Sequence, residues 1–401
     1  ALPGETIQVV RGDVHIGDEI SRKKIATQRA MRIPVYLHDF EPKDSDHWKS
    51  RWQETSSSET AAQWERQGQQ FLLASASHPS EDVAFLSYRH WIRNGGEHET
   101  TVPVAPSSKQ FQFPDRFDSP ISYSPQTGYL KYAEGVLSDT WRNRLLELNG
   151  NVPEFVEAIN RLAEESHIAP ISDTYGYQKQ QHEKSFVRDL MMSLEVTIQK
   201  GKGDFQLAMT DGRLIAKCTI NIKSQEMELK ILYPNEKPQK VRSVSLSHIQ
   251  AGVPFLLEMS LIDRQVIVAI DKTELFTPWK YPEREEEKLL WWQKPVWIAA
   301  SQLDVKVAHL SLYRDVYYNR RYTRNGVDEP FLLGENEHFF LGDNSPISFD
   351  SRGWRGGAVN GNLFIGKPFA VHLPSKPQNF RIGRWKGTIR IPDFSRIKYI
   401  R

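Results

Sequence analysis

Apolar positions along this chain recur mostly at every second residue, in short runs broken by Gly, Pro, Asn, Asp and Ser. That is the period of half-buried β-strands. Leu194, Val196 and Ile198 alternate with polar residues, as do Cys218, Ile220 and Ile222, and then Met227, Leu229 and Ile231. Phe255 to Leu261 and Val266 to Ile270 flank Asp263-Arg264 and predict a hairpin, with Asp271-Lys272-Thr273 turning into Leu275-Phe276. Val305, Val307, Leu310 and Leu312 close the series. Upstream, Trp52, Trp64, Phe71-Leu72-Leu73 and Phe85 to Trp91 are short apolar or aromatic runs of the same kind. Many short strands at regular spacing imply a sandwich or a barrel.

The period changes in one place. From about Val102 to Ile171 the alternation lapses, and Asp139 to Leu148 and Pro153 to Glu165 read as helices. Phe155, Ile159 and Leu162 fall at helical spacing, Asn151 before Pro153 is a start signal, and Gly150 stops the first helix. This predicts a helical insertion packed on the side of a β domain. At the front of the chain, Leu2 to Ile20 reads as a hairpin about Gly12-Asp13. Ser21 to Lys24 reads as a solvated basic turn, and Ala30 to Leu37 as an exit strand. The polar stretch His38 to Asp46, with Pro42 inside it, marks a domain boundary.

Composition narrows the picture. A chain of 401 residues predicts two or three domains. With 52 basic and 50 acidic residues the net charge is +2, so there is no bulk drive toward nucleic acid or anionic lipid. The single cysteine, Cys218, excludes an internal disulfide and reads as a small buried hydrophobe. No run approaches the roughly 20 apolar residues of a membrane-spanning helix.

One stretch near the end stands out: Phe339-Phe340-Leu341-Gly342-Asp343-Asn344-Ser345-Pro346-Ile347-Ser348-Phe349-Asp350-Ser351-Arg352. By itself it reads as a loop whose Asp and Ser side chains cap its own turns. Its spacing of Gly342-Asp343-Asn344, Ser348 and Asp350-Ser351-Arg352 resembles the last box of the type I signal peptidases, membrane-anchored bacterial Ser/Lys endopeptidases. Gly334 to Leu341, and Asn362 to Pro368, are similar to the segments before and after that box. Leu2 to Ile20 resembles the segment that follows the family's catalytic lysine.

The resemblance implies a signal-peptidase-like β-fold made by the two chain ends, residues 1–40 and 326–401. It also implies that the nucleophilic serine and the lysine base lie upstream of Ala1, so that this chain alone is an inactive extracytoplasmic fragment. Ser348 would position the lysine amine, Asp350 and Arg352 would pair and fix the loop, and Asp343 would hold a second arginine. Gly342 and Asn344 would shape the turn. Such a base works only when neutral, which requires burial and aimed hydrogen bonds. Lys23 and Lys24 are poor alternatives, since a hydrated basic turn keeps them protonated. The implied partners are signal peptides of exported pre-proteins and a membrane reached through an N-terminal anchor. The implied place is the bacterial cytoplasmic membrane, facing the exterior. No cofactor, metal or nucleic acid is implied.

Residues 41–325 then form an insert, with the helical subinsert at about 102–171. Leu256-Leu257-Glu258-Met259 through Phe276 resembles the concanavalin-like, laminin-G-like jelly rolls. Glucanases of that fold carry a Glu-x-Asp-x-x-Glu strand, and none of the predicted strands has one. Glu283 to Lys288 mixes charges after Pro282 and reads as a solvated loop. Glu97-His98-Glu99 has no second histidine at ligand spacing and reads as surface. Trp291-Trp292 can stack on a sugar or peptide, yet such residues more often fill a core. The insert therefore reads as a binding or spacing module. The fold class expected is mainly β, a signal-peptidase-like fold split by an antiparallel jelly-roll sandwich. The function expected is a serine endopeptidase that removes signal peptides. The competing expectation is a non-catalytic binding or scaffold protein whose sandwich takes a glycan or protein ligand.

Overall fold

The computed structural model describes the chain outside residues 41–47, 59–61, 79–81, 94, 96–98, 107–109, 114–119, 134, 151, 175–183, 248, 283–293, 321–322, 367–369, 372–374, 383–384, 393–397 and 400–401, and gives mainly the backbone after 366. Pro42, Asp46, Glu97-His98, Asn151, Glu283 to Lys288, Trp291-Trp292 and Lys367-Pro368 lie outside the described residues. The chain divides into two compact units, residues 34–314 and the two ends, 1–33 with 315–401.

The larger unit is an antiparallel β-sandwich built on two unusually long strands, Leu190–Thr210 and Val296–Arg314. They pair with each other along their whole length. On the outer side of the first, Leu190 to Val196 pairs with Phe255–Ile262, and Asp204 to Thr210 pairs with Ile215–Asn221. On the outer side of the second, Val296 to Ala300 takes Ala84–Tyr88 and Asp304 to Ala308 takes Gln70–Ala74. The strand Ile33–Leu37 also pairs with it. Each long strand thus runs through both halves of the sandwich. The change of direction falls at Gly201–Gly203, where the register slips against Leu303 and Ser301. Gly201 has φ +109°, and a Cβ on Gly203 would stand 1.9 Å from the Ser301 carbonyl oxygen. Only glycine lets the two backbones pass there.

Alternation then fills the interior. Cys218 and Ile220 on one strand, and Met227, Leu229 and Ile231 on the next, are buried, with their neighbours half-exposed or exposed. In the Leu190–Thr210 strand Leu190 to Leu194 are all buried, so its first half is covered on both faces. The predicted hairpin is Phe255–Ile262 with Gln265–Ile270, and Asp263 and Arg264 both take positive φ, 53° and 51°. Those are the dihedrals of a turn whose twist matches the strands.

The region near 102–171 departs from expectation. Both helices form, Asp139–Asn149 and Pro153–Glu165, with Pro153 at the first turn of the second. Before them, however, stand three paired strands, Thr100–Pro103, Tyr129–Tyr132 and Ile121–Ser124. The region is a small α+β body with one core: Phe155, Ile159 and Leu162 pack with Val102, Leu130 and Leu145. The strands escape the sequence pattern because they are only four residues long.

The chain ends form an antiparallel sheet ordered Phe331–Leu332, Thr6–Val10, Asp13–Ile16, Glu19–Ile20, with short two-stranded ladders beyond it. Ile7, Leu333 and Phe339, and Val9, Val316, Tyr318 and Val327, form its cores. The first hairpin turns on Arg11-Gly12, φ 51° and 95°, so Asp13 opens the return strand opposite Val10. Two corrections follow here. Ile25–Met31 is a helix, and the exit strand is shortened to Ile33–Leu37. Lys23 is not solvated: its Nζ donates to Asp315 Oδ2 at 2.8 Å, with side chains 14% and 4% exposed. Lys24 caps that helix without a side-chain hydrogen bond, so the helix starts at no recognisable capping residue. The small sheets of this unit do not show a signal-peptidase core.

Candidate functional site

The residues singled out in the sequence do come together, as a loop that holds itself. Arg352 lies fully buried and grips Asp350 with both ends of its fork, Nε to Oδ1 at 2.9 Å and Nη2 to Oδ2 at 2.7 Å. Its Nη1 donates to the Asn319 carbonyl at 3.0 Å and to Ser345 Oγ at 2.9 Å. The guanidinium also sits 5.3 Å from the centre of the Tyr318 ring. Gly342 N donates to Asp350 Oδ2 at 2.9 Å, and a Cβ there would fall 2.2 Å from Ser348 Oγ. Ser348 Oγ donates to the Asn344 carbonyl at 2.8 Å, and Ser351 Oγ accepts from Phe340 N at 2.9 Å. Asp343 is exposed. Asp350 and Arg352 pair with each other, and the other described bonds of the loop run mostly to its own backbone.

The Tyr318 phenol beside this loop is pushed up to about 12, first by burial.

The sandwich unit offers a different kind of surface. A cleft of about 460 Å³ opens along Pro34 to His38, bounded by Phe40, Trp48 to Arg51 and Arg66. Three aromatic rings line it. Tyr36 is half-buried, and its hydroxyl is 2.5 Å from His38 Nδ1. Trp48 is half-buried and meets Trp91 edge-on at 5.7 Å between centroids. Phe40 is 74% exposed.

Arg51 is fixed in this cleft from beneath. Its Nη1 donates to the Val35 carbonyl at 3.2 Å and to the Tyr88 hydroxyl at 3.3 Å, and its Cζ lies 5.2 Å from the centre of the Tyr36 ring. Tyr88, accepting from Arg51, keeps its own proton for His90 Nδ1, 3.0 Å away. Burial, and then the charge of Arg51, holds the His90 pKa well below the usual histidine value, so His90 is the neutral acceptor this chain of bonds needs. Burial raises the Tyr88 pKa, and Arg51 opposes that rise.

A second hollow, of about 550 Å³, lies between residues 245–255 and 270–275. It is lined by no aromatic ring except Phe255, and its Asp271 is engaged in capping Leu256 N at 2.9 Å. The aromatic cleft is the stronger candidate.

The sequence reading placed a domain boundary where this cleft lies. Phe40, Trp48 and Arg51 belong to no strand repeat and carry no spacing motif, so periodicity passes over them. The available signal was the concentration of aromatic and basic residues at Trp48-Lys49-Ser50-Arg51, following Phe40.

Neither a protein-family model nor a curated protein matches the chain. Among solved structures, sheep galectin-11 in complex with glycerol matches 32% of this chain and 91% of its own, at 10% identity and TM-score 0.24. A carbohydrate-binding module from Bacillus subtilis matches 37% of this chain and 92% of its own, at 8% identity and TM-score 0.21. A galectin of Caenorhabditis elegans matches 31% and 82%, at 11% identity and TM-score 0.22. None of these is a peptidase, and no peptidase family model matches. The resemblance to type I signal peptidases is corrected accordingly, and with it the endopeptidase function and the hydrolase, secretion and membrane terms that it implied. Signal peptides and a membrane are likewise unsupported as partners. A loop dense in Gly, Asp, Asn and Ser shares its residue types with many self-capping loops, and the bonds described above account for this one in those terms.

Proposed function

We propose that the sandwich unit is a carbohydrate-binding module and that its ligand lies in the cleft lined by Tyr36, Phe40 and Trp48. The observation that carries this reading is the exposed ring of Phe40 beside the anchored rings of Tyr36 and Trp48 in one concave site. A pyranose has an apolar face of C–H groups and a rim of hydroxyls. Its apolar face packs on an aromatic plane and sheds water there, while the hydroxyls find a few fixed polar groups. The exposed Ser50 hydroxyl offers such a group at the cleft wall. Binding fits this site better than catalysis, because glycoside hydrolysis uses two carboxyl groups and no described lining residue is Asp or Glu.

The test is calorimetric titration of the full chain with a panel of neutral and acidic oligosaccharides, repeated with Phe40→Ala. Saturable binding that falls about tenfold in the variant, the order of one aromatic contact, with thermal stability unchanged, supports the reading. Absence of saturable binding across the panel ends it.

A further inference from the structure

We propose that the cleft selects acidic, carboxylate-bearing glycans, and that Arg51 is the residue that confers this selectivity. The proposal rests on the carbohydrate-binding reading and narrows its ligand class.

Charge is the first ground. Lys49, Arg51 and Arg66 line the cleft, and among the described residues no Asp or Glu lines it with them. In a chain of nearly balanced charge, net +2, three cations give the described lining of this hollow a positive charge.

Geometry is the second. Both described side-chain hydrogen bonds of Arg51 leave from Nη1, to the Val35 carbonyl and the Tyr88 hydroxyl. Nε and Nη2 have no hydrogen-bond partner among the described residues. Those two nitrogens form the edge of the guanidinium that takes a carboxylate through two parallel hydrogen bonds. The Tyr36 ring beneath and the two Nη1 bonds hold the plane of that fork, so little side-chain freedom remains to be lost when an anion arrives. Lys49 is exposed, with no ion-pair or hydrogen-bond partner among the described residues, and supplies a second, mobile charge at the mouth.

The neighbours of Arg51 do not neutralise it. Tyr88 and His90 stand below it as a hydrogen-bonded pair of neutral groups. A carboxylate on a sugar stacked against the aromatic wall would therefore meet a positive fork with no counter-ion to displace among the described residues.

The experiment titrates the full chain with uronate- and sialate-bearing oligosaccharides, with their methyl esters, and with a sulfated neutral oligosaccharide. The ester keeps the sugar and removes only the charge. Expected is at least tenfold tighter binding of an acid than of its ester. Arg51→Lys should abolish most of that preference while leaving ester affinity in place, which also shows that the cleft is still folded. Lys49→Gln, at a side chain bonded to nothing described, should reduce acid affinity only a few-fold and flatten its salt dependence. Equal affinity for acid and ester overturns the proposal and leaves the carbohydrate reading standing. So does equal binding of the sulfated neutral sugar, which would show charge without carboxylate recognition. A preference for acid that survives Arg51→Lys removes Arg51 from the role. Binding of none of these ligands overturns both readings.

Discussion

Arg352 and Asp350 are two residues apart and form a two-bond ion pair, 2.7 and 2.9 Å, with their side chains 0% and 7% exposed. A turn runs through this pair, with Gly353 N and Trp354 N donating to the Asp350 carbonyl at 2.8 and 3.1 Å. The remaining guanidinium protons reach Ser345 and the Asn319 carbonyl, so this one side chain ties the loop to the segment around 319. Removing one member of such a pair strands a buried charge, at a cost of about 3–5 kcal/mol. Arg352→Ala and Asp350→Ala are each expected to destabilise the chain-end unit on that scale in denaturant unfolding. The double variant Arg352→Met with Asp350→Leu is expected to cost much less than the two single changes together. A cost for either single change below about 1 kcal/mol would mean that the pair is not what holds the loop.

The bend at Gly201–Gly203 makes a second prediction. A methyl on Gly203 meets the Ser301 backbone oxygen at 1.9 Å and the Gln302 side chain at 2.8 Å. Backbone cannot swing aside as a side chain does, and the two long strands are paired on both sides of the bend. Gly203→Ala is expected to cost at least about 1–3 kcal/mol, the range of overpacking. Gly252, at φ +78° with nothing within 4 Å of its Cβ position, is a control for backbone strain without a clash. Gly252→Ala should cost about 1 kcal/mol, from backbone strain alone. Equal losses would mean that the close passage at 203 relaxes freely.

Cys218 is 1% exposed among Ile220, Leu229 and Leu207, and burial pushes its thiol up to about 12. The thiolate is the reactive form, so the folded protein should not react measurably with an aromatic disulfide at pH 8, whereas the unfolded chain should titrate one thiol at once. Rapid labelling without denaturant would show that this strand opens. Cys218→Ser is expected to destabilise by about 1–3 kcal/mol, because a hydroxyl enters an apolar layer without a partner.

How much of this was legible beforehand depends on the length of each pattern. Helix Pro153–Glu165 was readable because Pro153 starts it and Phe155, Ile159 and Leu162 mark a buried stripe over about two turns. The hairpin at Asp263-Arg264 was readable because both flanking runs are long and apolar. The three short strands around 100–132 were not, since four residues carry barely two alternations. The continuity of Leu190–Thr210 through both halves of the sandwich was also hidden, because two glycines in a strand look like an end and here mark a bend. For the candidate site the difficulty is three-dimensional. Arg51 acquires its meaning from Val35, Tyr36 and Tyr88, which no sequence period links to it. The loop at 342–352 shows the converse: an ordered string of small polar residues was readable as a unit, but its spacing suggested a family that the comparisons do not bear out.

His309 provides a pH-dependent test at the edge of the sandwich. It occupies a left-handed conformation, φ 52°, where the register against Leu190–Thr210 slips between Ser193 and Glu195. The slip re-aims its ring, and Nδ1 comes 2.7 Å from Asp39 Oδ2. The hydrogen bond with Asp39 raises the His309 pKa above its ordinary value, and partial burial opposes the rise. A raised folded pKa means that the folded state binds the proton more tightly than the unfolded chain does. The stabilisation is therefore fully present below the unfolded value near 6.5 and is lost as pH rises through the higher folded pKa. The side chain is 62% exposed, so solvent screens the pair and the effect on stability should be small. Proton NMR titration of His309 should give a midpoint above 6.5 that falls back toward it in Asp39→Asn. The melting temperatures of wild type and Asp39→Asn should differ most at pH 5.5 and converge by pH 8.5. A His309 midpoint that does not move in the variant would show that Asp39 is not its partner in solution. A melting difference that instead widens with rising pH would reverse the sign of the linkage, and the exposed pair could not be its source.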